Sequence, residues 1–167
     1  MKPWTRSAAE LGRANRAQGE HGQEIAANAL RMLGLVEVEV IETGWRVFRA
    51  REGDRSKIVR AVPCRKVSGD LRAVVPGSGR SVLCEVKVRD KRLAWGDLSE
   101  HQHAALQRHQ DAGALALVAW VSPDGVFVMR RSNMLSLGWS KGRPLTVEDA
   151  DGISIKPGAS RAMERQQ

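Results

Sequence analysis

The sequence predicts an α/β fold, a central mixed β-sheet flanked by helices. Three observations carry the prediction. Apolar residues recur at helical spacing in two stretches, 19–33 and 99–112, and short β-rich runs bounded by turn residues lie between and after them. The resulting order of helix, strands, helix, strand fits a mixed sheet with helices packed on it. At 167 residues the chain is long enough for one compact domain with extensions and too short for two ordinary ones.

The stretch to about Gln18 is polar and rich in Ala and Arg, and reads as a basic N-terminal arm, 1–18, or a frayed helix. A helix is expected from Gly19 to Leu33, stopped by Gly34 in the position of a C-cap. Val36 to Ile41 alternates apolar and acidic residues as a half-exposed strand does. After a Thr43-Gly44 turn, Trp45 to Phe48 is expected to continue the sheet, and Arg49 to Val67 reads equally as a hairpin or a loop. Leu71 to Val75 and Ser81 to Val88 read as two strands joined by the turn residues Pro76-Gly77-Ser78-Gly79. A second helix begins at Ser99 and stops at Gly113, followed by an apolar strand, Ala114 to Val121. Pro123-Asp124-Gly125 turns the chain into a last strand, Val126 to Met129. Signals weaken beyond Arg130, so 136–167 is expected to be a partly flexible extension, with a mobile tail from Pro157.

No run of apolar residues is long enough to span a membrane, and the N-terminus lacks the apolar segment of a signal peptide. A soluble, cytoplasmic protein without a membrane partner is expected, compatible with a bacterial or phage origin. Cys64 and Cys84 lack zinc-type spacing and read as packing residues. The formal charge is +8, and the excess is concentrated: Arg46, Arg49, Arg51, Arg55, Lys57, Arg60, Arg65 and Lys66 face only Glu52 and Asp54. A second basic group, Arg89, Lys91 and Arg92, follows the Ser81–Val88 strand. Such density favours a polyanionic partner, because neutralising phosphates releases counterions.

The chemistry points to Ser68-Gly69-Asp70 and, fourteen residues on, Glu85-Val86-Lys87. Side chains alternate across a strand, so Glu85 and Lys87 project side by side from an otherwise apolar run. Pairing across the 76–79 turn brings Asp70, at the entry of the first strand, within metal-bridging reach of Glu85. The first helix adds Glu20 and Gln23. Positions 20, 23, 27, 30 and 34 form one stripe, which turns Glu20 toward the sheet and leaves Glu24 to solvent. A preference of Glu20 for the positive end of the helix dipole explains it as well. In the second helix Gln102 leads the core-facing stripe, while Ser99 and Gln102 also have capping-box spacing, and both roles stay open. His101, His103 and His109 do not share a face suited to a metal and read as surface or core residues. Trp45 and Trp95, at loop edges, suit either stacking on a ligand's flat rings or the core.

This pattern resembles the PD-(D/E)XK nuclease superfamily, most closely its VRR-NUC and Holliday-junction-resolvase-like branches. The matching residues are Glu20, Gln23 and Gly34, then Asp70, then Glu85-Val86-Lys87, then Gln102, followed by the apolar strand 115–121. Gly69 stands where a proline often precedes the Asp. The resemblance covers roughly 19–121 and implies a restriction-endonuclease-like core, with 19–135 as the nuclease domain. It implies Mg²⁺-dependent hydrolysis of DNA phosphodiesters, with Mn²⁺ able to substitute and branched or junction DNA as the leading substrate, cut by a homodimer. A broader flap or end nuclease uses the same residues. Asp70, Glu85 and the Val86 carbonyl would hold the metal, and Glu20 a second metal or its water. Lys87 would orient or activate the attacking water, and Gln102 position that water or Lys87. A DNA-binding protein on the same fold, its carboxylates serving structure, is the competing class. A restriction enzyme is disfavoured, since no separate sequence-reading module is visible.

Overall fold

A computed structural model describes residues 8–42, 45–49, 58–63 and 69–156. Helix α1 (Ala8–Met32) is followed by strands β1 (Val36–Val40), β2 (Trp45–Arg49), β3 (Ile58–Pro63), β4 (Leu71–Val74), β5 (Ser81–Val88) and β6 (Arg92–Leu93). Helix α2 (Glu100–Asp111), strands β7 (Leu115–Ser122) and β8 (Gly125–Arg130), helix α3 (Arg131–Ser136), strand β9 (Leu145–Thr146) and helix α4 (Val147–Ile153) complete it. The central sheet has the order β1-β4-β5-β7-β8, with β5 and β7 parallel and the other pairs antiparallel. This is the expected α/β arrangement, a mixed sheet with helices on both faces.

Alternation on the two central strands divides the core. Val82, Cys84 and Val86 of β5, with Leu115, Leu117, Ala119 and Val121 of β7, pack under Ala26, Ala27 and Leu30 of α1. Leu83 of β5, with Ala116, Val118 and Trp120 of β7, packs against Ala105 and Leu106 of α2 and Met134 of α3. Strand β7 is therefore buried on both sides, which explains its unbroken apolar reading. Both helix stops work as the glycines predict. Gly34 has φ +85°, with Leu35 N donating to Leu30 O and Gly34 N to Arg31 O. Gly113 has φ +84°, with Ala114 N donating to His109 O and Gly113 N to Gln110 O. In each case the left-handed residue lets the chain satisfy two orphan carbonyls.

Three expectations need correction. Helix α1 starts at Ala8, not Gly19, so residues 8–18 extend the helix and Glu20 is no longer in a first turn. Strand β2 does not continue the central sheet. Among the described residues it pairs only with β3, in the register Trp45 to Pro63, as a separate two-stranded sheet, because the β1 edge is the end of the central sheet and β1 takes β4 as its neighbour. The segment after 135 is not an appendage as far as Lys156. Met134, Trp139, Leu145 and Ala150 are buried in the α2-side core, and β9 pairs with β6. Ser154 bridges to Met129 and Ile155 N donates to Val128 O, so this segment also covers the β8 edge. Elements of six, two and seven residues are too short to show a period, which hid them. Among the described residues no helix is long and apolar enough to cross a membrane.

Candidate active site

The site forms where the hairpin β4–β5 opens. Leu71 opposes Cys84 and Val74 opposes Ser81, so β4 pairs only with the first half of β5. From Glu85 onward β5 keeps β7 on one side, in register from Val82–Leu115 to Val88–Val121, and loses its other neighbour. At that fork Asp70 replaces the missing strand. Its backbone N donates to Cys84 O at 2.9 Å, and its Oδ2 accepts from Val86 N at 2.7 Å. Its Oδ1 accepts from Gln23 Nε2 of α1 at 3.4 Å.

Gly69 makes the turn into the fork possible. Its φ of +79° suits glycine, and a Cβ there would meet Leu83 Cδ1 at 2.3 Å. Its N–H donates to Glu85 Oε1 at 3.1 Å. Proline would fail twice at this position, since its ring fixes φ near −65° and it has no N–H to give. The glycine in place of a proline is thus a structural requirement of this chain.

Glu85 is 1% exposed, a carboxylate within the core. Its Oε2 accepts from Gln102 Nε2 at 2.6 Å. Burial first, and then the charge of Asp70, push its pKa up to about 8, with Lys87 opposing the rise. Lys87 lies on the same face, two residues on, and Nζ donates to Gln102 Oε1 at 3.1 Å. That oxygen also accepts from Ser99 N at 3.0 Å, while Gln102 N donates to Ser99 Oγ at 3.3 Å. Gln102 therefore caps the helix and also bridges Lys87 and Glu85. Its amide cannot be turned round, because Ser99 N and Lys87 Nζ can only donate and so need the oxygen on their side.

A groove of about 430 Å³ leads to this cluster, lined by Asp70, Val86, Lys87, Val88 and Arg89 on one side and by Gln18, Gly19 and Gln23 on the other. Asp70, Glu85, Lys87 and Gln102 are brought together. Glu20 is not: it is exposed and lies outside the groove lining, contrary to the expected orientation. Gly22 sets the helix face against β5, where a Cβ would meet Val88 Cγ2 at 2.4 Å, and Glu20 projects about 160° away from it. Among the described side chains of α1, Gln23 is the one that reaches an acid of the site. The sequence signal was its place one residue beyond a small residue, Gly22, on the packed face.

Among the described residues no group of three or more His, Cys, Asp and Glu side chains could hold a metal. The acids at hand are two, Asp70 and Glu85. An all-oxygen pair with carbonyl and water positions left over fits Mg²⁺, which keeps several waters and substrate oxygens. The raised pKa of Glu85 fits too, because a bound cation would offset both its burial and the neighbouring charge of Asp70.

Lys91 and Arg92 are exposed, and Arg89 pairs with Asp97. Arg46, Arg49 and Arg60 fall on β2 and β3, while Arg51, Arg55, Lys57, Arg65 and Lys66 lie outside the described residues. Trp95 is not free to stack on a base with the face that His103 covers, at 3.9 Å between ring centroids and 16° between planes. His103 is buried, its Nε2 3.0 Å from Trp95 O, and burial holds its pKa down. The sequence matches no family model and no curated protein. Among solved structures it is similar to Hjc, a Holliday junction resolvase from the archaeal hyperthermophile Archaeoglobus fulgidus, at 16% identity and a TM-score of 0.46, over 83% of this chain and 99% of that one.

Proposed function

We propose that this protein is a divalent-metal-dependent DNA nuclease of the PD-(D/E)XK kind, with branched or junction DNA as its first candidate substrate. The observation that carries the reading is a buried, hydrogen-bonded carboxylate, Glu85, beside Asp70 and in line with Lys87, at the open fork of a strand pair. A solvated ion pair on a strand face would need neither the burial nor the glutamine that joins Glu85 to Lys87.

In this reading Asp70, Glu85 and the Val86 carbonyl hold Mg²⁺ or Mn²⁺. The ion supplies charge against the phosphoryl oxygens and acidity to a water. Lys87 places a cation over the attacked phosphate and orients the nucleophile. Gln102 links Lys87 and Glu85 by hydrogen bonds, and Gln23 and the Val86 amide fix Asp70. Glu20 has no direct part, because it is exposed and outside the groove.

The test compares four-way junction, flap, single-stranded and linear duplex DNA with Mg²⁺ or Mn²⁺, using wild type, Asp70→Ala, Glu85→Ala and Lys87→Ala. Cleavage is expected from wild type and lost in all three variants. Paired cuts confined to the junction would make it a resolvase, and cutting of the other forms a broader repair nuclease. Equal cleavage by all four proteins would rule the mechanism out. Binding without metal-dependent cleavage would favour a DNA-binding protein on this fold.

A further inference from the structure

Arg89 has an unusual amount of structure invested in it. It continues the face of Glu85 and Lys87, one strand repeat of about 6.6 Å beyond the lysine, and lines the same groove. Its guanidinium is fixed from two directions: Nε donates to Asp97 Oδ1 at 2.6 Å and Nη1 to Val88 O at 2.8 Å. Its backbone is fixed as well, with N donating to Val121 O at 3.0 Å and O accepting from Trp120 Nε1 at 2.7 Å. Asp97 is in turn immobilised, because its Oδ2 accepts from Ala94 N at 2.7 Å. A long side chain on a strand end ordinarily loses such order to entropy. Here a carboxylate is spent at the rim of a groove read as binding a polyanion, where its charge alone repels the ligand. Fixing the direction of the arginine fork accounts for that expense, since Nη2 has no protein partner in the described structure. Across the groove, Gly19 has open space where a Cβ would stand, leaving room for a nucleic-acid backbone.

We propose that Arg89, held by the positioning residue Asp97, grips the backbone phosphate next to the one seated at Asp70 and Lys87, so that the strand runs between Arg89 and Gly19. This rests on the nuclease reading for the identity of the ligand. A forked, pre-oriented guanidinium contacts phosphate through two N–H groups, which a mobile one does at greater entropic cost.

The sign of one substitution separates this from plain electrostatics. Asp97→Asn removes a negative charge, so long-range attraction alone would tighten DNA binding. It also turns a donor toward either Arg89 or Ala94, which releases the clamp, so weaker binding is expected. Fluorescence anisotropy with a labelled duplex oligonucleotide in EDTA reads this without cleavage, and thermal melting checks the fold. Arg89→Ala is expected to weaken binding roughly ten- to a hundredfold, and Asp97→Asn to weaken it less but in the same direction. Equal or tighter binding by folded Asp97→Asn overturns the proposal. A second measurement decides if that variant does not fold: neutral methylphosphonates replace one phosphate at a time in the oligonucleotide. Wild type should lose affinity at a position where Arg89→Ala is indifferent, and identical profiles overturn the clamp. Failure of the wild type to cleave any DNA with Mg²⁺ or Mn²⁺ would instead count against the nuclease reading and leave the anisotropy result standing.

Discussion

Replacing Gln102 by alanine separates a helix cap from a site scaffold. The amide makes three bonds: Oε1 accepts from Ser99 N and Lys87 Nζ, and Nε2 donates to Glu85. The cap half of the capping box that alanine removes contributes about 0.5–1 kcal/mol, since Ser99 Oγ still accepts from residue 102 N. The bond to Glu85 is different, because its acceptor is 1% exposed and water cannot replace the lost donor. Leaving that buried acceptor unpaired costs about 1–3 kcal/mol. Gln102→Ala should therefore cost about 1.5–4 kcal/mol. Ser99→Ala, which loses only the bond from Gln102 N, should cost about 1 kcal/mol. Urea unfolding followed by circular dichroism at neutral pH, in EDTA, gives both values. If Gln102→Ala cost no more than Ser99→Ala, the amide would be a cap alone, and its link between Glu85 and Lys87 would carry no energy.

Two further outcomes follow from the same cluster. The pKa of Glu85 is raised from 4.5 to about 8, so the folded protein holds a proton that the unfolded chain releases. Its contribution to stability is complete below about pH 4.5 and is lost as pH rises through about 8, at most about 5 kcal/mol in the metal-free protein. Glu85→Gln should gain on wild type in chemical denaturation from pH 5.5 to 8.5, and a difference between the two that is flat with pH would sink the assignment. At Gly69, alanine faces both φ +79° and a Cβ placed 2.3 Å from Leu83 Cδ1. A loss of about 1–3 kcal/mol is expected, measured by the same unfolding curves, and unchanged stability would refute the strain argument.

Much of the fold was written in residues with strong local rules. Gly34 and Gly113 marked the two helix ends, and the β-branched run 81–88 marked the strand that carries the acid and the lysine. Asp70, Glu85 and Lys87 could be grouped from turn chemistry and the two-residue repeat of a strand. Glu20 was misplaced for a geometric reason. A helical stripe fixes which residues share a side, but the contact at Gly22 decides which side is covered. The layer from 131 to 156 escaped because it is stabilised by distant contacts. Trp139 Nε1 bonds to Leu93 O, and Leu145 pairs with Leu93, neither of which a local window reveals. Likewise, nothing local connects Arg89 to Asp97 across eight residues.

The amide of Val86 is protected by a side chain, Asp70 Oδ2, and not by a neighbouring strand. That makes one backbone proton a spectroscopic witness of the fork. A cation that draws charge from Asp70 must weaken this bond, moving the Val86 resonance and quickening its exchange with solvent, while the amide of Asp70, bonded to Cys84 O, stays put as an internal standard. Occupancy of the cluster can thus be followed by NMR in the absence of any substrate, and separately from turnover.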